Sequence, residues 1–186
     1  MKLALLRSVA LALTLSATSF GVAYAANPDV GGAPMSESKN IIENAVNSKD
    51  HTTLVAAVKA AGLVETLEGK GPFTVFAPTN EAFAALPAGT VDNLLKPENK
   101  AMLVKILTCH VVAAKALSTD VVAMAKADGG THIVDTVGGC KLALSVQDGK
   151  VMIKDEAGGM ATVTIADVIQ SNGVIHVVDH VLLPKM

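Results

Sequence analysis

Apolar and polar positions along the chain change their period once. Up to about residue 130 the spacing is mostly helical, and beyond it the alternation is that of strands. Ile41, Ile42, Ala45 and Val46 fall on one helical face. Thr52 or Thr53 can cap a second helix with Leu54, Val55, Val58 and Ala61 inward, and Gly62 stops it. Phe73–Ala77 alternates and runs into Pro78, as expected of a buried strand ended by proline. Thr79 can cap a short helix over 80–85, and Thr90 another around 91–95. Pro97 suits a helix start, and Met102, Leu103, Ile106 and Leu107 give that helix an apolar stripe. Cys109–Val112 reads as a strand. Ser118 or Thr119 then caps a helix over 120–126, which Gly129 and Gly130 end.

From Thr131 the period is two. Strands are expected over 131–137, 141–146, 151–154, 162–169 and 174–178, with a last short one over 181–183. Asp148-Gly149 and Asn172-Gly173 read as tight hairpin turns. Helices precede strands rather than alternating with them, which predicts an α+β fold. Residues 26–37 are Pro/Gly-rich and aperiodic, and read as a flexible tail ahead of one domain over 38–186.

Composition changes this picture at the N-terminus. Lys2 and Arg7 precede an apolar run from Val9 to Val22, and Ala23-Tyr24-Ala25 is a small-x-small cleavage site, so 1–25 reads as an export signal. No second candidate for a membrane span follows. A cut after Ala25 removes two cations, no acids and the single tyrosine from a chain of formal charge −2 that has no tryptophan. Nucleic-acid modules need basic grooves and aromatic platforms, and the mature chain has neither. The expected localisation is secreted or periplasmic, and the expected state is a monomer without a cofactor.

Cys109 and Cys140 are the only thiols. In an oxidising compartment a disulfide is their default. It would close a loop of about 30 residues and stabilise the fold by about 3–4 kcal/mol. Two buried free thiols are the alternative. A Cys109-His110 nucleophile–base pair is disfavoured, because neighbours on a strand point to opposite faces. Five histidines, His51, His110, His132, His176 and His180, carry the ionisable chemistry near neutral pH. His176 and His180 stand four apart, a zinc spacing on a helix but not on a strand, so no metal is expected. No nucleophile elbow, phosphate loop or calcium loop is present, and no catalytic residues are expected.

Two segments carry a family signature. Gly71-Pro-Phe-Thr-Val-Phe-Ala-Pro-Thr-Asn-Glu-Ala-Phe-Ala-Ala-Leu-Pro87 resembles the first conserved block of fasciclin (FAS1) domains. Ala166-Asp-Val-Ile-Gln-Ser-Asn-Gly-Val-Ile-His-Val-Val-Asp-His-Val-Leu-Leu-Pro184 resembles the second. Between them, Leu107-Thr-Cys-His-Val-Val112 is similar to the family's Tyr-His strand, with Cys109 in the tyrosine's place. The resemblance implies a single-domain secreted protein of bacterial type, folded as a β-wedge of two small sheets with helices packed around it. It also implies structural roles for Thr79, Asn80, His110, Asn172, Gly173 and His176. The joint appearance of Cys109 and Cys140 supports a disulfide in place of the tyrosine.

The function implied is non-enzymatic adhesion to a protein, surface or matrix component. Animal members present an Asp-Ile pair to adhesion receptors, and the matching positions here are Asp167 and Val168. The alternative for this pair is plain strand structure, with Val168 in the core. A second function follows from resemblance to water-soluble pigment carriers, namely carriage of an apolar lipid or pigment. Met102, Met124, Met152 and Met160 could line an adaptable pocket for it, or simply fill gaps in the core.

Overall fold

The computed structural model describes residues 27–185. The expected signal segment and its cleavage site lie outside the described residues.

The chain opens with a small hairpin, β1 (Asp29–Val30) and β2 (Ala33–Pro34), followed by α1 (Ile41–Ala45), α2 (Thr52–Ala61) and α3 (Val64–Glu68). β3 (Phe73–Pro78) leads into α4 (Asn80–Ala84), α5 (Thr90–Leu94) and α6 (Lys100–Cys109). After β4 (Val111–Val112) and α7 (Ser118–Ala127), the rest is strand: β5 (Thr131–Asp135), β6 (Lys141–Gln147), β7 (Lys150–Lys154), β8 (Met160–Gln170) and β9 (Gly173–Val178). Helices first and strands last make the class α+β.

Seven strands form one ladder in the order β4-β3-β9-β8-β7-β6-β5. Only β3 and β9 run parallel; the other neighbours are antiparallel. β8 folds this ladder in two. Its residues 160–162 pair with β7 and its residues 163–170 with β9, and two register shifts separate Val163, Ile165 and Val168. Bulges of this kind bend and twist a strand, so the two small sheets of the wedge share β8.

Two cores follow from that bend. Val75, Val168, Ile175 and Val177 meet α1, α2 and α6 through Ile41, Leu54, Val58, Leu103 and Leu107. The second core joins Phe76, Val121, Leu142, Ile153, Val163, Val178 and Leu182. Adjacent β3 residues Val75 and Phe76 therefore serve opposite cores, as the two-residue period of a strand requires.

Several expectations differ from the structure. The tail expected over 26–37 folds back as the β1–β2 hairpin, and Val30, Ala33 and Met35 are buried in the first core. Its tight turn docks on the chain ahead of α2: a Cβ on Gly31 would stand 2.7 Å from the Asp50 nitrogen. Helix α3 was not expected at all. Cys109 ends α6 instead of opening a strand, because the ten-residue helix continues its apolar stripe up to the cysteine. Residues 181–183 pair with no strand; the Leu182 N–H donates to His110 Nε2 and the Leu183 N–H to the Asp155 carboxylate.

The two turns also differ from each other. Asp148 and Gly149 both take positive φ, 50° and 76°, as a primed turn demands. The β8–β9 turn is Ser171-Asn172, since Gln170 pairs with Gly173. Gly173 is extended and begins β9, so the glycine there has another cause, described below.

Candidate functional site

The bulge of β8 places Asp167 at φ 58°, in the left-handed region that aspartate tolerates better than most residues. From there its carboxylate reaches the start of α7. Ser118 donates its backbone N–H to Oδ1 at 2.7 Å and its hydroxyl to Oδ2. The Asp120 carboxylate accepts the preceding Leu117 N–H at 2.9 Å. Two carboxylates thus satisfy N–H groups at a helix N-terminus, where the backbone dipole also favours negative charge. Ser118 is consequently not a cap but the group being capped.

His176 lies one strand over, on β9. Its Nδ1 accepts the Asp167 N–H at 3.2 Å, and its Nε2–H donates to the Ala116 carbonyl at 2.9 Å. The ring is buried and stacks on Phe76, centroid to centroid 5.9 Å. Thr74 completes the brace: its hydroxyl donates to the Ala114 carbonyl at 2.6 Å and accepts the Ala116 N–H at 2.9 Å. Burial pushes the His176 pKa down, with the Ala116 carbonyl and the Asp167 charge opposing it. Serine, aspartate and histidine are close here, but not as a nucleophile relay. The imidazole meets the aspartate's backbone and not its carboxylate, and both ring nitrogens are occupied. What the arrangement does is lock β8, β9 and α7 together.

Val168, the other half of the candidate adhesion pair, has 0% of its surface exposed and lies in the first core. Both members of the pair therefore have internal partners.

His110 makes a second brace. As the residue after α6 it donates Nδ1–H to the Ile106 carbonyl at 2.8 Å, and its Nε2 accepts the Leu182 N–H at 2.9 Å. Complete burial lowers its pKa to about 4, against the opposing Ile106 carbonyl and Asp155. Beside it, Cys109 and Cys140 form a disulfide, both side chains buried. The bond ties the end of α6 to the turn between β5 and β6. That turn already touches the helix: the Gly138 N–H donates to the Thr108 carbonyl at 3.0 Å, and Lys105 donates to the Gly138 carbonyl at 2.7 Å.

The remaining motif residues clip segments far apart in sequence. Thr79 accepts the Ala82 N–H at 3.3 Å at the head of α4. Asn80 accepts the Thr53 N–H at 3.0 Å and donates to the Lys49 carbonyl at 2.8 Å, joining α4 to the start of α2. Asn172 accepts the Ile41 N–H at 3.1 Å and donates to the Leu67 and Gly69 carbonyls, both at 2.8 Å, so one amide serves α1 and α3 together. Gly173 sits directly against β3, where a Cβ would meet the Phe73 carbonyl oxygen at 2.1 Å.

His132 and His180 are surface groups beside Asp128 and Asp179, at 2.5 and 3.0 Å. His180 and the buried His176 share no ligand position, and among the described residues no three of His, Cys, Asp and Glu converge. No helix among the described residues is long and apolar enough to cross a membrane.

The first core also holds a cavity of about 70 Å³ under α1, α2 and α3. The four methionines expected to line a pocket do not line this one; Met35, from the segment read as a tail, does. His51 stands in its lining, bonded through Nδ1 to the Ser48 hydroxyl at 2.9 Å. Its buried Nε2 lies near the Ala77 carbonyl without a hydrogen bond of good geometry.

Residues 49–184 match the family model described as the Fasciclin domain. The chain belongs to the fasciclin family. This fasciclin domain is 52% identical over 157 residues to Protein sll1483 of Synechocystis sp., covering 84% of this chain and 80% of that protein. It is 34% identical over 166 residues to the immunogenic protein MPB70 of Mycobacterium bovis, covering 86% and 77%. It is 39% identical over 131 residues to the transforming growth factor-beta-induced protein ig-h3 of Sus scrofa, covering 70% of this chain but 17% of that protein. Among solved structures, it is similar to a FAS1 domain pair from the insect cell adhesion molecule fasciclin I, with a TM-score of 0.71 at 19% identity. That likeness is one of fold, and the chain spans 52% of the pair.

Proposed function

We propose that the mature chain is an exported, non-enzymatic fasciclin domain that mediates adhesion to a cell-surface or matrix component. The solved fasciclin pair comes from an insect cell adhesion molecule. Consistent with a non-enzymatic role, the buried His110 and His176 and the half-buried Asp167 are used to hold the fold together. We assign Asp167 and Val168 to that framework and place the contact elsewhere.

The observation that carries the choice of contact is the edge of the ladder along Thr131–Asp135, which is free up to the point where the Val137 N–H donates to the Val111 carbonyl of β4 at 2.7 Å. β5 ends the sheet, and Ile133 on it is 52% exposed. Val137, just beyond the strand, is 47% exposed. A free edge offers unpaired backbone groups for a partner's strand, and apolar side chains beside it add contact area. The test is retention of purified mature protein on intact cells of the producing organism and on their shed matrix. Retention lost in an Ile133→Asp, Val137→Asp double variant, with melting unchanged, supports the reading. Equal retention of the variant, or none of either protein, overturns it.

A further inference from the structure

We propose that the cavity of the first core binds a medium-chain fatty carboxylate, with its alkyl chain inside and its head group at Lys59. This goes beyond the adhesion reading and does not depend on it.

The lining is apolar in effect as well as in composition. Met35, Val58, Leu67, Phe73, Val75 and Leu107 present carbon. Its polar side chains are mostly turned to internal partners: the Ser48 hydroxyl to His51, the Thr108 hydroxyl to the Val104 carbonyl, and both His110 nitrogens to backbone. Among the described residues, His51 Nε2 is the one buried lining nitrogen without a partner, fewer than the two to four polar partners an ordered water needs, so the space stays dry. Dry voids in a close-packed interior cost stability, because their walls lose dispersion contacts. A guest made of methylene groups restores those contacts.

Shape and charge narrow the guest. At roughly 10–15 Å³ per water-sized sphere, about 70 Å³ admits about five to seven groups of methylene size. The lining reaches exposed residues in two places, at Lys59 and Thr66 between α2 and α3, and at Val137 beside the end of α6. A Cβ on Gly62, which ends α2, would stand 3.5 Å from Lys100 at the head of α6, while Gly138 bonds to Thr108 at its tail. The two places are therefore separated by about the length of α6, roughly 15 Å for ten residues. A small volume spread over that span is a narrow channel, suited to a single unbranched chain. One mouth is apolar. The other carries a lysine that forms no salt bridge among the described residues. An apolar tail with an anionic head matches the lysine mouth and the carbon-lined interior behind it.

The experiment titrates octanoate and 1-octanol into the mature protein by calorimetry, with amide NMR shifts to locate the site. Saturable binding of one octanoate per chain is expected, with shifts in α2, α3 and β3. Lys59→Ala should weaken octanoate about fivefold, as for an exposed ion pair, and leave 1-octanol unchanged. Val58→Leu fills the channel and should weaken both about tenfold or more; Val75→Ile replaces it if that variant does not melt cooperatively. Absence of saturable binding at millimolar octanoate overturns the proposal. So does binding that the filling variants leave intact, or a Lys59→Ala effect equal for the acid and the alcohol.

Discussion

The Asp167 carboxylate takes both the N–H and the hydroxyl of Ser118, a residue 49 positions earlier in the chain. Sequence-distant capping of this kind makes the bulge in β8 and the start of α7 a single unit. Asp167→Ala removes the cap and leaves a non-glycine residue without aspartate's tolerance at positive φ. The expected loss is about 2 kcal/mol, from a cap of about 1 and a left-handed penalty of similar size. Asp167→Asn keeps one acceptor and tolerates the conformation, so it should cost about half as much. Urea midpoints of the two variants check this. An alanine variant as stable as the parent would mean that the cap contributes nothing. Adhesion measured well below the melting temperature should be unchanged in both.

Two of the three buried histidines, His110 and His176, hold opposite tautomers. His110 carries its proton on Nδ1 and His176 on Nε2, and each accepts a backbone N–H at the other nitrogen. Protonation would set a second N–H against the Leu182 or Asp167 amide. Burial accordingly lowers both pKa values, that of His110 from 6.5 to about 4. The unfolded chain then binds more protons than the folded one between these values, so stability falls as pH drops. The contribution is complete above pH 6.5 and is lost progressively down to about pH 4. For His110 alone it amounts to about 3 kcal/mol. Unfolding free energies measured across this window check the sign and size. In His110→Gln the protein is less stable at neutral pH, and the slope with pH is correspondingly flatter.

What the sequence discloses and what it hides divide along the range of each interaction. The Asp148-Gly149 turn, the Thr79 cap and the opposite faces of β3 are local, and the one-dimensional pattern carries them. The hairpin holding Val30 and Ala33 is two residues per strand, too short for any period to register, and its Pro and Gly content imitates a tail. Asp167 looks like a strand's solvent-facing residue until the bulge turns it toward α7. Ser118 looks like a cap for its own helix because local rules contain no competing carboxylate. The cavity has no sequence signal, since its lining residues have the composition of ordinary core.

Gly173 illustrates the same limit with a sharper test. The pair Asn172-Gly173 suggests a turn glycine, yet the residue is extended and paired with Phe73 in parallel register. Its need is for space: an added Cβ would lie 2.1 Å from the Phe73 carbonyl oxygen and 2.9 Å from its carbon. Backbone of a central strand cannot yield that distance without breaking the β3–β9 ladder. Gly173→Ala should therefore cost about 3 kcal/mol or more. Ser171→Ala, in the same turn with an exposed side chain, should stay within about 0.5 kcal/mol of the parent. Soluble yield and urea midpoints separate the two. A Gly173→Ala protein of normal stability would show that the strands can move apart freely.

Cleavage after Ala25 would have an optical consequence. The chain has one tyrosine and no tryptophan, and that tyrosine is Tyr24. Mature protein should show almost no absorbance at 280 nm beyond the weak disulfide band. Intact mass of material from the producing organism, read together with its ultraviolet spectrum, checks the cleavage. A tyrosine band on protein of full-length mass would place the cut elsewhere or remove it.

The Cys109–Cys140 bond spans a sequence separation of 31 residues. Closing a loop of that size removes freedom chiefly from the unfolded chain, by about 3–4 kcal/mol. The folded state should hardly notice its loss, because Gly138 and Lys105 keep the turn on α6 through their own hydrogen bonds. Reduction should therefore leave the secondary structure intact while lowering the melting temperature by about 10 °C, at about 2–4 °C per kcal/mol for a chain of this size. Calorimetry with and without reductant measures the shift, and a Cys109→Ala, Cys140→Ala double variant should reproduce most of it. A shift of a degree or less with two free thiols confirmed by mass would mean that the unfolded chain is already restrained without the bond. Loss of helical signal on reduction would mean instead that the turn depends on the bond for its place on α6.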